Sequence, residues 1–472
     1  MSRSGWIQIC YLLLNMNQNL KMSPSFLKSS VLVVLFITGI VQPALASMSL
    51  NEAINITLEK NSKTRANDKR IQAMHERTKA AQMIFMPNLN TQIGYSADQN
   101  SSKFNQSHQH SSGSSTDYGF GASINLYNGG ADVFNAKAAE AEEKAQVARY
   151  NSTKGFILYT KGSLARDVLD TYREIISIKS QIDLNQKIQN ILQKTYLLAK
   201  TADSKNLVNS RISNYKTSLG QLNFELDQAN QDFKHIVTIP VPENLQSIDE
   251  VIQNLTIPDN AEKAFQIALE KSPDIQATSF ELQASEQRLK AEKAVAFRPR
   301  VDARIQNNHY SSENSLNNQS TSDSVSAGVV VSYNFSPKSI PYSKAAQKEV
   351  EASQDEKDAA LDDIEFELNK TYPQLKNFIE LSDRYEQAYQ EALKNIETFL
   401  KNPPTDNTDA ENASTINTAL SYISSADVQS NYLRQTKYSL VQLKFSIQKT
   451  VGTLFDGLTP AAMRSPVQKD QE

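Results

Sequence analysis

Residues that could do chemistry are few and dispersed. The five histidines are His75, His108, His110, His235 and His309, and only the His108-Gln109-His110 pair is close in sequence. That pair lies in a Ser/Gln-rich stretch without a neighbouring acid or cysteine, so it reads as a solvated loop rather than a metal site. The chain has no Gly-rich phosphate loop, no His-Glu-x-x-His and no serine in a Gly-x-Ser-x-Gly turn. Glu140, Glu142 and Glu143 read as the solvated face of a helix. The acids that stand out come late: Asp406, Asp409 and Glu411 within 402–415 (NPPTDNTDAENAST), and Asp427 at the expected start of the helix that follows. Each of these has an ordinary reading as a helix-end acid favoured by the macrodipole, worth some 0.3–1 kcal/mol. No catalytic residue, cofactor or metal site is expected, and the chain does not read as an enzyme.

The elements that must carry these residues are unusual. Tyr118, Phe120, Ala122, Ile124 and Leu126 alternate with Gly119, Gly121, Ser123, Asn125 and Tyr127, which predicts a strand with one apolar face. Asn128-Gly129-Gly130 breaks the pattern, because glycine accepts the positive φ that a sharp change of direction needs. From Ala131 to Lys200 no proline occurs and helix formers dominate. A helix of that length would be a rod of roughly 105 Å. One amphipathic strand running into so long a helix suggests a chain that crosses a membrane briefly and then reaches far from it.

Composition agrees. Of 472 residues 39% are hydrophobic, and there is one tryptophan, so the chain can bury seams and stripes more readily than a wide core. A net charge of −3 is too near neutral for a nucleic-acid partner. Lys28, the apolar run Val31–Val41 and Ala44-Leu45-Ala46 predict a signal peptide over 1–46, with Met22 a candidate for the true start. The apolar run is too short to span a bilayer. The only cysteine, Cys10, precedes the expected cleavage site, so the mature chain has no thiol.

In chain order, a helix over 49–86 stops at Pro87 and is followed by strands near 88–97 and 118–127 with a polar segment between them. A long helix 131–200, a turn, a helix 207–237 and a proline-bearing linker 238–259 complete a first repeat, 47–259. The order then restarts over 260–472. A helix leads to strands near 300–310 and 324–335, a long helix 339–401, an insertion 402–415, a helix 417–455 and a polar tail. Ala53–Lys60 (AINITLEK) is echoed by Ala264–Lys271 (AFQIALEK), Pro87 by Pro299, and Lys216–Phe224 by Lys437–Phe445 with six of nine positions identical. A repeat of this length is a duplicated half rather than a solenoid unit. Leu164, Val168, Ile175, Ile178 and Ile182, like Leu361, Ile364, Leu368, Leu375 and Phe378, advance in near-heptad steps, as in helices packed along their length. Pro373, inside the second long helix, predicts a kink or looser turn near Asn369.

Four amphipathic strands suit a tilted crossing of an outer membrane, where every backbone polar group must be paired. Membrane barrels start at about eight strands, so four per chain call for further copies of the chain. A purely structural periplasmic coiled-coil protein, an adaptor or spacer without a pore, is the alternative, with the strands as a small soluble cap.

The helix ending at Pro87-Asn88-Leu89, the junction Leu126-Tyr127-Asn128-Gly129-Gly130, the echo at Ala264–Lys271 and Arg298-Pro299-Arg300 together resemble the TolC-like outer-membrane efflux proteins. The resemblance implies a mainly α fold with a small membrane β-sheet. In it, long antiparallel helices form a trimeric α-barrel continuous with a 12-stranded β-barrel. It implies a homotrimer in the outer membrane, extending into the periplasm. Such a protein is a passive exit duct of a tripartite efflux pump or type I secretion system, joined to an inner-membrane pump through a periplasmic adaptor. It further implies that Asp427, in Ser425-Ala426-Asp427-Val428, lines the periplasmic aperture as one of a ring of three carboxylates. Asp406, Asp409 and Glu411, by their place in the insertion, are weaker candidates at the tip loop. The sequence departs from the family pattern at Phe335-Ser336-Pro337-Lys338, which lacks the Gly-Gly pair, and in the turns Lys200–Asn206 and Ala419–Ser425, which lack the family's glycine.

Overall fold

The computed structural model describes residues 47–104, 107–152, 160–314, 319–333, 336–404 and 408–456. The expected signal segment 1–46, Asp406 and most of the polar tail lie outside the described residues. A small unit pairs Met48 with the segment Pro242–Asn244 through a bond from the Met48 N–H to the Asn244 carbonyl at 3.1 Å. The larger unit is Ser49–Val241 together with Leu245 onward.

Its elements in order are α1 (Leu50–Lys60), α2 (Ser62–Gln82), β1 (Asn88–Phe104), β2 (Ser107–Asn128), α3 (Ala131–Asn151), α4 (Lys161–Leu198), α5 (Ala202–Val237), α6 (Ile248–Asn254), α7 (Ala261–Lys271), α8 (Pro273–Phe297), β3 (Arg300–Asn314), β4 (Gln319–Ser332), α9 (Ser339–Lys401) and α10 (Asp409–Val451). The chain is mostly helical, with one four-stranded antiparallel sheet in the order β1-β2-β3-β4. The helix pair and strand pair α1–α2–β1–β2 recur as α7–α8–β3–β4.

Several boundaries differ from the sequence expectations, each for a local reason. The helix expected over 49–86 breaks at Asn61, whose Oδ1 accepts from the Lys63 N–H while its Nδ2 donates to the Ile236 carbonyl. It ends at Gln82 rather than at Pro87. The helix expected over 131–200 is two helices. Ser152, in extended conformation, closes α3, and the Thr160 hydroxyl caps α4 by accepting from the Ser163 N–H. By contrast α9 runs 63 residues without interruption through Pro373. The linker 238–259 contains α6, started by a capping box between Ser247 and Glu250. The strands are also longer than expected: β1 has 17 residues and β2 has 22, so most of the polar segment expected as a loop extends the β1–β2 ladder.

The helices bury seams. Ile364, Leu368 and Leu375 of α9 pack with Ala264, Ala268, Ile275, Leu440 and Ile447 in one core. A second core lies where the long helices turn and joins Leu184, Ile188 and Leu192 of α4 to Val208, Ala392, Ile396, Ile416, Ile423 and Ala426. Between α3 and α8 the buried residues are largely alanines, which let the two helices approach closely. Polar clamps hold their rims, Arg149 bonding Glu281 through two 2.5 Å contacts and Arg288 pairing with Glu142 at 2.6 Å. Among the described residues no helix is long and apolar enough to cross a membrane, which leaves the sheet to consider.

Candidate functional site

The sheet register gathers the alternating residues onto two unlike faces. On one face Leu89, Ala122, Ile305 and Ala327 form a row across all four strands, and Thr91, Phe120, Asn307 and Val325 form the next. Ile93, Tyr118, His309 and Asp323 follow, with Tyr118 stacked on His309 at 4.4 Å and His309 bonded to Asp323. This face is bare: Ile93 is 86% exposed, Val325 73% and Leu89 69%. The other face is small and polar, with rows such as Gln92, Gly119, Asn308 and Ser324. There the side chains of Asp117, Asn308 and Asn90 lie flat over Gly94, Gly119 and Gly121, filling the space a Cβ would take.

Large apolar residues also crowd the ends of the strands next to the helices. Phe85, Met86, Phe297, Tyr333 and Tyr342 are all half or more exposed. Along β3 the distance from Val301 to His309 is about 27 Å of strand, or roughly 21 Å of depth at a 40° tilt. With its flanking aromatic residues, the bare face therefore has the height of the roughly 25 Å apolar band of a membrane barrel. The Ser-rich ends of β1 and β2 extend past that band.

The strand-to-helix junction is built by Asn128, Gly129 and Gly130. Gly129 has φ 63° and Gly130 φ 85°, both left-handed, and Gly130 is the N-cap of α3. A Cβ on Gly129 would come within 2.8 Å of the Ala294 carbonyl, so the turn is pressed against α8. Arg298, at the end of α8, donates to the Gly129 carbonyl at 2.9 Å, and Asn128 Nδ2 reaches Asp132 at 3.3 Å. The two halves of the chain thus lock together at the point where strand becomes helix. Arg298 belonged to a recognisable motif, but its partner lies 169 residues away.

The acids at the helical turns are placed differently from expectation. Asp409 and Glu411 belong to the helix rather than to an insertion that precedes it at 417, because Thr408 and Glu411 form a capping box that starts α10 at Asp409. Both acids sit in the first turn of the helix, where the macrodipole favours them. Asp427 is not at the start of this helix either. It lies 18 residues further on, about 27 Å along the axis, where it accepts a 3.1 Å bond from the Tyr215 hydroxyl of α5. Burial, with Asp427 beside it, pushes the Tyr215 hydroxyl above the ordinary tyrosine range.

Asn412 carries no motif that marks it in the sequence. It is buried in the first turns of α10 and reaches across to the α4–α5 turn, its Nδ2 donating to the Leu198 carbonyl at 3.1 Å and its Oδ1 accepting from the Lys200 N–H at 2.9 Å. That turn consists of Ala199–Thr201 and contains no positive φ, so it has no need of the family's glycine. The Thr408-x-x-Glu411 spacing was the available signal that 409–415 is helical.

The chain thus presents a sheet with one bare apolar face of membrane height, fed by helices of up to 63 residues. Known proteins share this arrangement. The family model described as outer membrane efflux protein matches residues 53–202, and a search of curated protein sequences finds no match. In fold the chain is similar to the Neisseria gonorrhoeae MtrE outer membrane channel in its open state, with a TM-score of 0.60 and 16% identity over 86% of this chain and 89% of that one. It is similar to the outer membrane protein VceC from Vibrio cholerae, with a TM-score of 0.59 and 12% identity over 85% and 96% of the two chains. The Campylobacter jejuni CmeC outer membrane channel gives a TM-score of 0.57 and 12% identity over 89% and 88%. The resemblance to the TolC-like outer-membrane efflux proteins therefore holds in sequence over 53–202 and in fold over most of the chain.

Proposed function

We propose that the chain is one subunit of a homotrimeric outer-membrane duct that conducts substrates passively for a tripartite efflux pump or a type I secretion system. The observation that carries this reading is the sheet. Its outer strands β1 and β4 each pair on one side only, and four strands cannot close a barrel. Three copies supply twelve. The bare face is then the lipid face, the exposed aromatic residues at the strand ends form an interfacial belt, and the polar face lines the lumen. The alternative of a periplasmic spacer leaves that apolar face without an occupant. The long helices extend into the periplasm, where an adaptor would join the turns near Ala199 and Thr408 to an inner-membrane pump. Asp427 is a candidate acid of the tunnel wall, held in place by Tyr215; as a ring of three it would favour cations.

The test is the mass of the detergent-extracted protein together with its conductance in planar bilayers. A trimer that inserts and conducts is expected. A monodisperse monomer, or fractionation with soluble periplasmic protein, would refute the duct. Asp427→Asn should lower cation preference without altering assembly, and unchanged selectivity would leave Asp427 a purely structural partner of Tyr215.

A further inference from the structure

The polar face of the sheet carries its charges in an order that has a consequence for permeation. Within the height of the apolar band, the charged residues described on this face are Arg300, Asp302, Arg304 and Asp117. Arg300 and Asp302 neutralise each other through two bonds of 2.7 and 3.0 Å. Arg304 has no ion pair or side-chain hydrogen bond among the described residues. Its row is Asn88, Ser123, Arg304 and Gly328, none of them acidic. It is exposed, and nothing lies within 4 Å of the place a Cβ would take on Gly328, so the guanidinium does not fold down over its small neighbour. The acid behaves in the opposite way. Asp117 lies flat over Gly94 and accepts a 3.3 Å bond from Gln92 Nε2, and among the described residues no cation pairs with it.

Asp117 pairs with Tyr310, six residues along β3 from Arg304. The two charges are therefore about 20 Å apart along the strand, or roughly 15 Å apart in depth at a 40° tilt. Gln306 and Asn308, the residues of β3 between them on this face, are neutral. The separation exceeds the Debye length of about 10 Å at 0.1 M salt, so each charge acts largely on its own level.

We propose that the β-barrel lumen holds two opposed selectivity rings, a cationic one from Arg304 nearer the helices and an anionic one from Asp117 nearer the far end. This rests on the reading of the chain as a closed trimeric duct, since only closure turns a residue into a ring. Anions are favoured at the first level and disfavoured at the second, and cations the reverse, so the barrel segment carries little net preference while each ring tunes it. The substrate class this suits is a solute bearing both signs of charge, which meets a favourable partner at each level in turn.

The test is the reversal potential of reconstituted channels in a salt gradient at about 0.1 M, where screening leaves each ring distinct. Arg304→Gln should shift it toward cation preference and Asp117→Asn toward anion preference. Cys10 is the only cysteine in the sequence, so Arg304→Cys in a Cys10→Ser background carries one thiol. A cationic thiol reagent added to open channels should return the reversal potential toward wild type, and an anionic one should carry it further away. Conducting variants that keep the wild-type reversal potential, or an Arg304→Cys channel indifferent to both reagents, would overturn the two rings while leaving the duct standing. Wild-type protein that never conducts would overturn the duct, and the rings with it.

Discussion

At the scale of single residues, two positions hold the molecule together more firmly than their size suggests. Gly129 occupies a left-handed conformation and has no room for a side chain. Gly129→Ala should cost about 1–2 kcal/mol for the backbone alone, plus the displacement of α8 at Ala294. Gly130→Ala pays the backbone cost without the overlap, since the nearest atom is 3.6 Å away. The yield of folded protein in the membrane fraction should therefore fall more for Gly129→Ala than for Gly130→Ala. Asn412→Ala removes the two hydrogen bonds that tie the α4–α5 turn to α10, those to the Leu198 carbonyl and the Lys200 N–H. Each is worth about 0.5–1.5 kcal/mol net. The expected result is trypsin cleavage after Lys200 under conditions that leave the parent intact, and equal resistance would show that the turn needs no tether. The glycines were legible in the sequence because their role is local. Asn412 was not, because its partners lie more than 200 residues away and an asparagine looks the same in a loop and in a core.

At the scale of elements, periodicity found the strands and seams but not the points where helices stop. The proline-free run after Ala131 breaks at Ser152, whereas the run containing Pro373 continues. One missing backbone hydrogen bond is a small loss in a helix whose flanking residues Leu368 and Leu375 are buried. The Ser152 break offers helix ends that capping side chains can satisfy, as the Thr160 hydroxyl does for α4. Packing and capping thus outweigh propensity, and both are poorly visible in a window of sequence. The sheet was better legible, since alternation fixes which residues share a face. Its full length is not legible, because the Ser-rich ends carry no apolar alternation. The two faces make a sharp contrast testable. Ile305, in the middle row of the bare face, should tolerate lysine badly, at about 2–4 kcal/mol for a cation at the midplane of lipid. Gln306→Lys on the opposite face should be nearly neutral. Heat-modifiable mobility on gels would compare them, and equal tolerance would mean that the bare face does not meet lipid.

At the scale of the whole molecule, four strands with both outer strands half paired are, on the proposed reading, a fraction of a barrel that three copies make whole. Detergent-extracted protein should run as a trimer whose dissociation abolishes conductance. The unpaired sides of β1 and β4 have another consequence, which concerns the time before assembly. A chain in water presents two unsatisfied backbone rims beside a greasy panel, and such rims template the wrong partners as readily as the right ones. Maturation is then a race between three-body encounter and clumping, so the level of expression becomes a variable of folding. Diluting the newly exported chain should slow maturation more steeply than in proportion, and a helper that shields the panel should matter most when copies are scarce.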